Sequence, residues 1–326
     1  AYMWAVLASA QARDDLAKRS VARRDEIARR LKQPEIEKAQ AQAAAFRPGA
    51  EERILAAAAQ PSMENVPPLD ANRIRGKANP AAVALVIGVE DYEKLPPAQF
   101  AGRDARAFRD FAVNTMGIPR DRVRLLLNQD ARLLDVQKAV DTWMRAAIAD
   151  GGEDVFIFFS GHGLSSEDGR SLYLFPHDGD RAMLARSGLD RGALIDAALK
   201  AGAKSLTLFL DTCYSGGTRG AETLLADMRP LLIMPKDGEI PGPAAILAAA
   251  GGTQLSSAYA PARHGLFSYF LMRGLMGEAD ADGDHRLTLG ELRRFTEEKV
   301  RRTAMSQGRE QTPVLIGRAD TVIAQW

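Results

Sequence analysis

The sequence predicts an α/β sandwich with a mainly parallel sheet, preceded by an N-terminal helical region. Short apolar runs alternate with amphipathic segments from residue 81 onward, whereas the first 60 residues are rich in Ala, Arg and Glu. Buried runs of strand length that alternate with helices are typical of a parallel sheet covered on both faces. The chain has 326 residues, of which 46% are hydrophobic, enough for one or two packed domains.

The first 60 residues are expected to be helical, because Ala, Arg, Glu and Lys all favour helix. Apolar side chains at loose helical spacing give this region one apolar face, which either packs on the rest of the protein or binds a regulatory partner. Residues 61–80 contain closely spaced Pro, Asn and Gly, and we interpret them as a linker. The remaining residues, 81–326, are predicted to form the α/β domain.

The elements of this domain follow from the length and spacing of the apolar residues. Runs of strand length are predicted as strands at 82–89, 123–127, 155–160, 205–211 and 244–250. Amphipathic segments are predicted as helices at 104–114, 134–148 and 191–201.

The charge balance argues against a nucleic-acid or membrane-surface role. The 43 Lys and Arg residues nearly equal the 42 Asp and Glu residues, so the net charge is only +1. No apolar run reaches the ~18 residues of a membrane span, and the longest covers residues 1–10. We expect a soluble protein, either cytoplasmic or exported, since the apolar start is compatible with the remnant of an export segment.

The single cysteine, Cys213, excludes an internal disulfide and any cysteine-rich zinc module. It follows the predicted strand 205–211, and His162 follows the strand 155–160 between two glycines. Because the carboxyl ends of parallel strands meet at one edge of a sheet, we expect the two side chains to be neighbours. Taken separately, Cys213 is interpreted as a buried, unreactive thiol and His162 as an ordinary turn residue. Together they indicate a thiolate nucleophile with a general acid-base partner, without a third side chain that completes a triad.

Three motifs give the chain a resemblance to a known family. They are Val-Ile-Gly-Val-Glu-Asp-Tyr at 86–92, Ser-Gly-His-Gly at 160–163 and Asp-Thr-Cys-Tyr-Ser-Gly at 211–216. In this order they resemble the caspase superfamily over about residues 81–317. The Asp-Thr-Cys sequence resembles the bacterial metacaspase-like, orthocaspase-type branch, since caspases themselves have Gln-Ala-Cys. The resemblance implies a caspase-like α/β/α sandwich.

The resemblance also implies roles for named residues. Cys213 corresponds to the nucleophile and His162 to its partner, and the backbone N–H groups of Gly163 and Cys213 correspond to the oxyanion hole. A bacterial cysteine endopeptidase that acts on proteins or peptides is the activity expected from this match.

The substrate pocket is implied in the same way. Asp211, Asp104 and Ser160 correspond to residues that hold the side chain before the scissile bond. Two carboxylates favour Arg or Lys there, because a desolvated guanidinium requires opposite charge and paired acceptors. Asp104 has an alternative interpretation as a helix N-cap.

Two groups of acidic residues suggest calcium, although we expect no required cofactor. Asp280, Asp282, Asp284 and Glu291 occupy positions 1, 3, 5 and 12 of an EF-hand loop, whose position 6 is His285 instead of Gly. Helices are predicted on both sides of this loop, and the alternative is an Asp-rich loop that caps the last helix. The family resemblance separately implies calcium positions at Asp178 and Asp190, where a neighbouring acid of the family pattern is replaced by Arg191.

The leading hypothesis is therefore a cysteine endopeptidase that cleaves after Arg or Lys. The alternative is a non-catalytic caspase-like signalling module recruited through its N-terminal helices. A metal hydrolase is disfavoured, since one Cys and scattered His residues, His264 among them as an expected loop residue, form no tetrahedral ligand set. The long segment 218–243 either contains Arg and Lys residues at which the protein cleaves itself or is an ordinary surface loop.

Overall fold

The computed structural model describes residues 66–148, 151–166, 169–212, 242–251 and 254–326, together with Arg29 and Ile240. All of these except Arg29 belong to the second of the two units into which the chain divides, Ser62–Trp326. Cys213, nearly all of the predicted helical region at 1–60 and most of the segment 218–243 lie outside the described residues. The helical region and the domain boundaries therefore stay predictions.

Residues 66–80, the described part of the predicted linker, contain no helix or strand. Backbone hydrogen bonds tie this segment to the domain, from Gly76 N–H to the Asn114 carbonyl at 2.9 Å and from Lys77 N–H to the Gln325 carbonyl at 2.7 Å. The segment thus lies against the domain that follows it.

The strands of the described chain include every strand that the apolar runs predict. In chain order they are β1 (Ala82–Gly88), β2 (Val123–Leu127), β3 (Asp154–Ser160), β4 (Gly163–Ser165), β5 (Leu172–Leu174), β6 (Leu189–Asp190), β7 (Ser205–Asp211), β8 (Ala244–Ala248), β9 (Ala258–Tyr259), β10 (His264–Gly265), β11 (Arg286–Thr288), β12 (Val314–Ile316) and β13 (Val322–Gln325).

A six-stranded sheet in the order β12-β8-β7-β3-β1-β2 forms the centre of the described domain. Its neighbouring strands are parallel except for β12, which is antiparallel to β8. Every residue of β1 is buried, as are all but the first residues of β3 and β7. A strand in the middle of a parallel sheet is covered on both faces, which explains why these sequences are continuously apolar.

Helices cover both faces of this sheet. The α-helices of the described residues are α1 (Ala101–Asn114), α2 (Leu133–Lys138), α3 (Arg145–Ala147), α4 (Leu184–Ser187), α5 (Arg191–Lys200), α6 (Leu266–Arg273) and α7 (Leu289–Ser306). A π-helical stretch, Ala139–Met144, joins α2 to α3, so the helix predicted at 134–148 is continuous but not α-helical throughout.

Two of the apolar cores formed by the described residues cover the faces of the sheet. On one face, α1, α6 and α7 bury side chains such as Phe108 and Phe267 against Phe158 and Phe209 of the sheet. The Phe108 and Phe158 rings stack with their centroids 4.4 Å apart. On the other face, α2 and α5 pack on the opposite side chains of the same strands. The predicted α/β sandwich is thereby confirmed.

Among the helices of the described residues, none is both long and apolar enough to cross a membrane.

Candidate active site

His162 lies at the carboxyl edge of the central sheet, two residues after β3 ends at Ser160. The turn that places it there depends on Gly161, where a Cβ atom would lie 2.6 Å from the Tyr92 hydroxyl oxygen. Gly161 therefore lets the chain pass close beneath Tyr92. The His162 backbone N–H donates a hydrogen bond of 2.7 Å to that same hydroxyl, and the two rings lie 4.9 Å apart.

The His162 ring is oriented by a backbone carbonyl. The side chain is buried, and its Nε2 lies 2.8 Å from the carbonyl oxygen of Pro96. A carbonyl only accepts, so Nε2 carries the proton and Nδ1 is the ring nitrogen that can take up another. The partner that orients the imidazole is thus a main-chain carbonyl.

The loop that carries Pro96 is anchored to the segment after β5. Glu93 N–H donates to the His177 carbonyl at 3.0 Å. Lys94 Nζ lies 2.9 Å from Asp180 Oδ2, and this hydrogen bond holds the pKa of Asp180 below its ordinary value and raises the pKa of Lys94. These contacts hold the Pro96 carbonyl, and with it the imidazole, in one place.

Asp104 is fully buried in the first turn of α1. Its Oδ1 lies 2.7 Å from His264 Nδ1, and its Oδ2 accepts a 3.2 Å hydrogen bond from the Ser160 hydroxyl. The Gly265 N–H lies 3.2 and 3.1 Å from the two carboxylate oxygens. The N-cap interpretation is wrong, because Phe100 occupies the N-cap position and Asp104 is bonded to a distant segment. His264, expected in a loop, lies on β10.

Asp211 ends β7 and is also fully buried. Its Oδ1 accepts from the Ser256 hydroxyl at 2.5 Å, and its Oδ2 accepts from the Ser268 hydroxyl at 2.5 Å and the Ser268 N–H at 3.1 Å. Ser160 is the partner of Asp211 in the register of β3 and β7. The structure therefore brings all three predicted pocket residues together at the edge where His162 lies.

Of the two predicted oxyanion donors, Gly163 is the first residue of β4 and is buried directly after His162. Cys213 lies outside the described residues, which after β7 continue only to Thr212. The assignment of Cys213 as nucleophile and oxyanion donor therefore stays a prediction.

The predicted EF-hand loop lies between helical segments, as expected. It follows α6 and the π-helical stretch Gly274–Glu278, and α7 begins at Leu289, so Glu291 at position 12 lies in the first turn of that helix. One carboxylate oxygen from each of Asp280, Asp282 and Asp284 lies within 4.8 Å of the others. His285, where a glycine is usual, adopts a positive φ of 62°. A residue with a Cβ atom is strained in that conformation, which is why glycine is preferred there.

Glu291 serves as a helix cap in this structure. Its Oε2 accepts from the Thr288 N–H at 3.0 Å and from the Thr288 hydroxyl at 2.7 Å, which completes a capping box for α7. Helix α7 is therefore capped by Thr288 and Glu291, and not by an aspartate of the loop.

The two acids that the family resemblance placed in a calcium site each accept a backbone hydrogen bond. Asp178 Oδ1 accepts from the Leu133 N–H at 2.8 Å, and Asp190 is the N-cap of α5, accepting from the Ala193 N–H at 2.9 Å. Within the described residues, neither belongs to a group of three acidic, His or Cys ligands.

Comparison with known proteins agrees with this fold. A sequence profile of the caspase domain matches residues 81–320. Caspase-1 from Spodoptera frugiperda has a similar structure, with a TM-score of 0.51 and 16% identity over 81% of this chain and 94% of its own. The protein GSU0716 from Geobacter sulfurreducens has a TM-score of 0.49 and 20% identity over 74% of this chain and 95% of its own. A search of curated proteins yields no match. The expected caspase-like fold is thus confirmed.

Proposed function

Because the chain belongs to the caspase domain family, we propose that it is a cysteine endopeptidase that cleaves peptide bonds after Arg or Lys. The observation that carries this proposal is the His162 imidazole, held by the Pro96 carbonyl at the edge of the sheet where β7 ends two residues before Cys213. The Asp-Thr-Cys sequence at 211–213 supports a place in the bacterial metacaspase-like branch.

In the proposed reaction, His162 Nδ1 takes the thiol proton of Cys213, and the thiolate attacks the carbonyl carbon of the scissile bond. The backbone N–H groups of Gly163 and Cys213 stabilise the oxyanion that forms on the carbonyl oxygen. His162 then delivers its proton to the leaving amine as the C–N bond breaks, which leaves a thioester on Cys213. A water molecule that donates its proton to His162 attacks the thioester, and the carboxylic acid product and the thiol are released.

The Pro96 carbonyl has a defined part in these steps. When His162 is doubly protonated, Nε2–H still donates to the carbonyl, whose partial negative charge stabilises the imidazolium. The hydrogen bond also keeps the ring from turning, so that Nδ1 is directed to one side.

The proposed preference for Arg or Lys is supported by two carboxylates at the same edge. Ser160 donates to Asp104 and stands opposite Asp211 in the strand register, so the three side chains are close together. The described donors to the carboxylates are hydroxyls, backbone N–H groups and one imidazole. A guanidinium or ammonium group of a substrate supplies a positive charge that matches these acids.

Substitution of either proposed catalytic residue tests the chemistry. We expect Cys213→Ala and His162→Ala each to lower peptide hydrolysis by at least ~10³-fold, because proton transfer and nucleophilic attack act as a unit. The exposed histidine variant His285→Ala is the control and should retain activity. Hydrolysis by the Cys213→Ala variant at a substantial fraction of the original rate would contradict the nucleophile assignment.

Substrate preference is tested with a positional library of peptides. We expect cleavage after Arg and Lys but not after Asp, since two carboxylates repel an acidic side chain. Replacing Asp211 by Asn should lower kcat/KM for Arg peptides by ~30- to 5,000-fold, because losing one partner of a desolvated charge pair costs ~2–5 kcal/mol. The kcat/KM for peptides with a neutral side chain at that position should fall much less. A library profile that favours Asp, or an Asp211→Asn enzyme unchanged on Arg peptides, would show that the pocket is assigned wrongly.

We propose further that the reaction needs no metal ion and that calcium binds weakly to Asp280, Asp282 and Asp284. Clustered carboxylate oxygens suit this hard cation, but Glu291, which would be the bidentate ligand of an EF-hand, accepts from Thr288 through Oε2 and from the Ala281 N–H through Oε1.

Thermal unfolding in millimolar calcium or in EGTA tests this proposal. We expect calcium to raise the melting temperature modestly, because an ion that binds only the folded state stabilises it. The variant Asp282→Asn should lose the increase, and peptidase activity should be equal in calcium and EGTA. No thermal shift in the original chain would exclude the site, and a calcium-dependent rate would contradict a reaction that needs no metal.

A further inference from the structure

His264 is buried, and its partner Asp104 accepts from Ser160 at the carboxyl end of β3; His264 has no part in the proposed proton transfer. Its Nδ1 is 2.7 Å from Asp104 Oδ1, and only 5% of the residue is exposed. We propose that His264 is a positioning residue that sets the specificity of the enzyme, because it holds the Asp104 carboxylate in the orientation that receives a basic substrate side chain. This inference rests on the proposed function, since Asp104 is placed there in the substrate pocket.

Arg103 determines which ring nitrogen of His264 carries the proton. The Arg103 Nε–H donates to His264 Nε2 at 3.3 Å, so Nε2 accepts and the proton is on Nδ1. The imidazole is then neutral and donates Nδ1–H to Asp104. A neutral donor orients the carboxylate without cancelling its negative charge, which is what binding of a cationic side chain requires.

Asp104 receives part of its hydrogen bonding from a paired strand. His264 and Gly265 form β10, which is paired with β9, and together they donate to both oxygens of Asp104. The Ser160 hydroxyl also donates to Asp104, and at Asp211 two of the three described hydrogen bonds come from serine hydroxyls, which can rotate. His264 and Gly265 of β10 therefore supply Asp104 with donors at both of its oxygens.

The groups that face His264 come from three elements. Helix α1 supplies Arg103 and Asp104, β9 supplies its register partner Tyr259, and α6 supplies Tyr269, whose ring centroid is 6.5 Å away. Burial raises the pKa of both tyrosine hydroxyls, so they stay neutral at physiological pH. Among these described neighbours, Asp104 is the acceptor for the imidazole proton.

The test measures ligand binding without catalysis, in the Cys213→Ala chain. Peptides that end in Arg or in its neutral isostere citrulline are titrated by fluorescence anisotropy, and the ratio of the two affinities reports how the pocket recognises charge. We expect His264→Leu to lower this ratio by about 10- to 100-fold, the value of one hydrogen bond to a charged group.

Conservative variants separate positioning from a general effect on stability. His264→Asn should keep most of the original affinity ratio, because the side-chain N–H of Asn can occupy the place of Nδ1–H. His264→Gln should have the low ratio of His264→Leu, because the Gln amide lies near the position of Nε2. Tyr259→Phe, which alters the paired strand and leaves Asp104 untouched, is the control and should keep the original ratio. If His264→Leu does not fold, the affinity ratios of His264→Asn and His264→Gln are compared instead, and this comparison tests the positioning role.

Each outcome bears on one claim. An Arg preference that falls in His264→Leu or His264→Gln and returns in His264→Asn supports the positioning role. An unchanged ratio in a folded His264 variant overturns it, and so does a parent chain that binds the Arg and citrulline peptides equally. Absence of hydrolysis by the unsubstituted chain would overturn the proposed peptidase function alone, because the binding ratio involves no chemistry.

Discussion

Parallel pairing of β3 with β7 is the constraint on which the candidate site depends. The pairing ends with Ser160 opposite Asp211, so both strands end at the same edge of the sheet. His162 follows one strand, and Cys213 comes two residues after the other. The two cores that cover the sheet hold this register, because a slip of one residue would turn buried phenylalanines such as Phe158 and Phe209 to the opposite face.

Much of the fold and part of the site could be predicted from the sequence, because both depend on local patterns. Continuous apolar runs located β1, β3 and β7, the glycine-containing turn after β3 located His162, and the family resemblance identified Asp211 at the end of β7. The Pro96 carbonyl could not be predicted, because every residue has a carbonyl and only the folded loop shows which one meets the imidazole.

The donors to the two buried acids were missed for a related reason. His264 lies 160 positions from Asp104 in the chain, and Ser256 and Ser268 lie 45 and 57 positions from Asp211. No local pattern couples residues so far apart. A sequence signal did exist for His264, which precedes a glycine and the apolar helix α6, but the same signal fits an ordinary turn.

The central claim is that the sheet edge activates Cys213 for attack on substrates with a basic side chain. Its most direct test is labelling with a peptide chloromethyl ketone that ends in Arg, followed by mass spectrometry of the intact chain and its peptides. We expect one adduct, on Cys213, formed faster than with free cysteine and strongly slowed by His162→Ala, because only an activated thiolate reacts quickly. Labelling of Cys213 no faster than that of free cysteine, or unaffected by the loss of His162, would contradict the account.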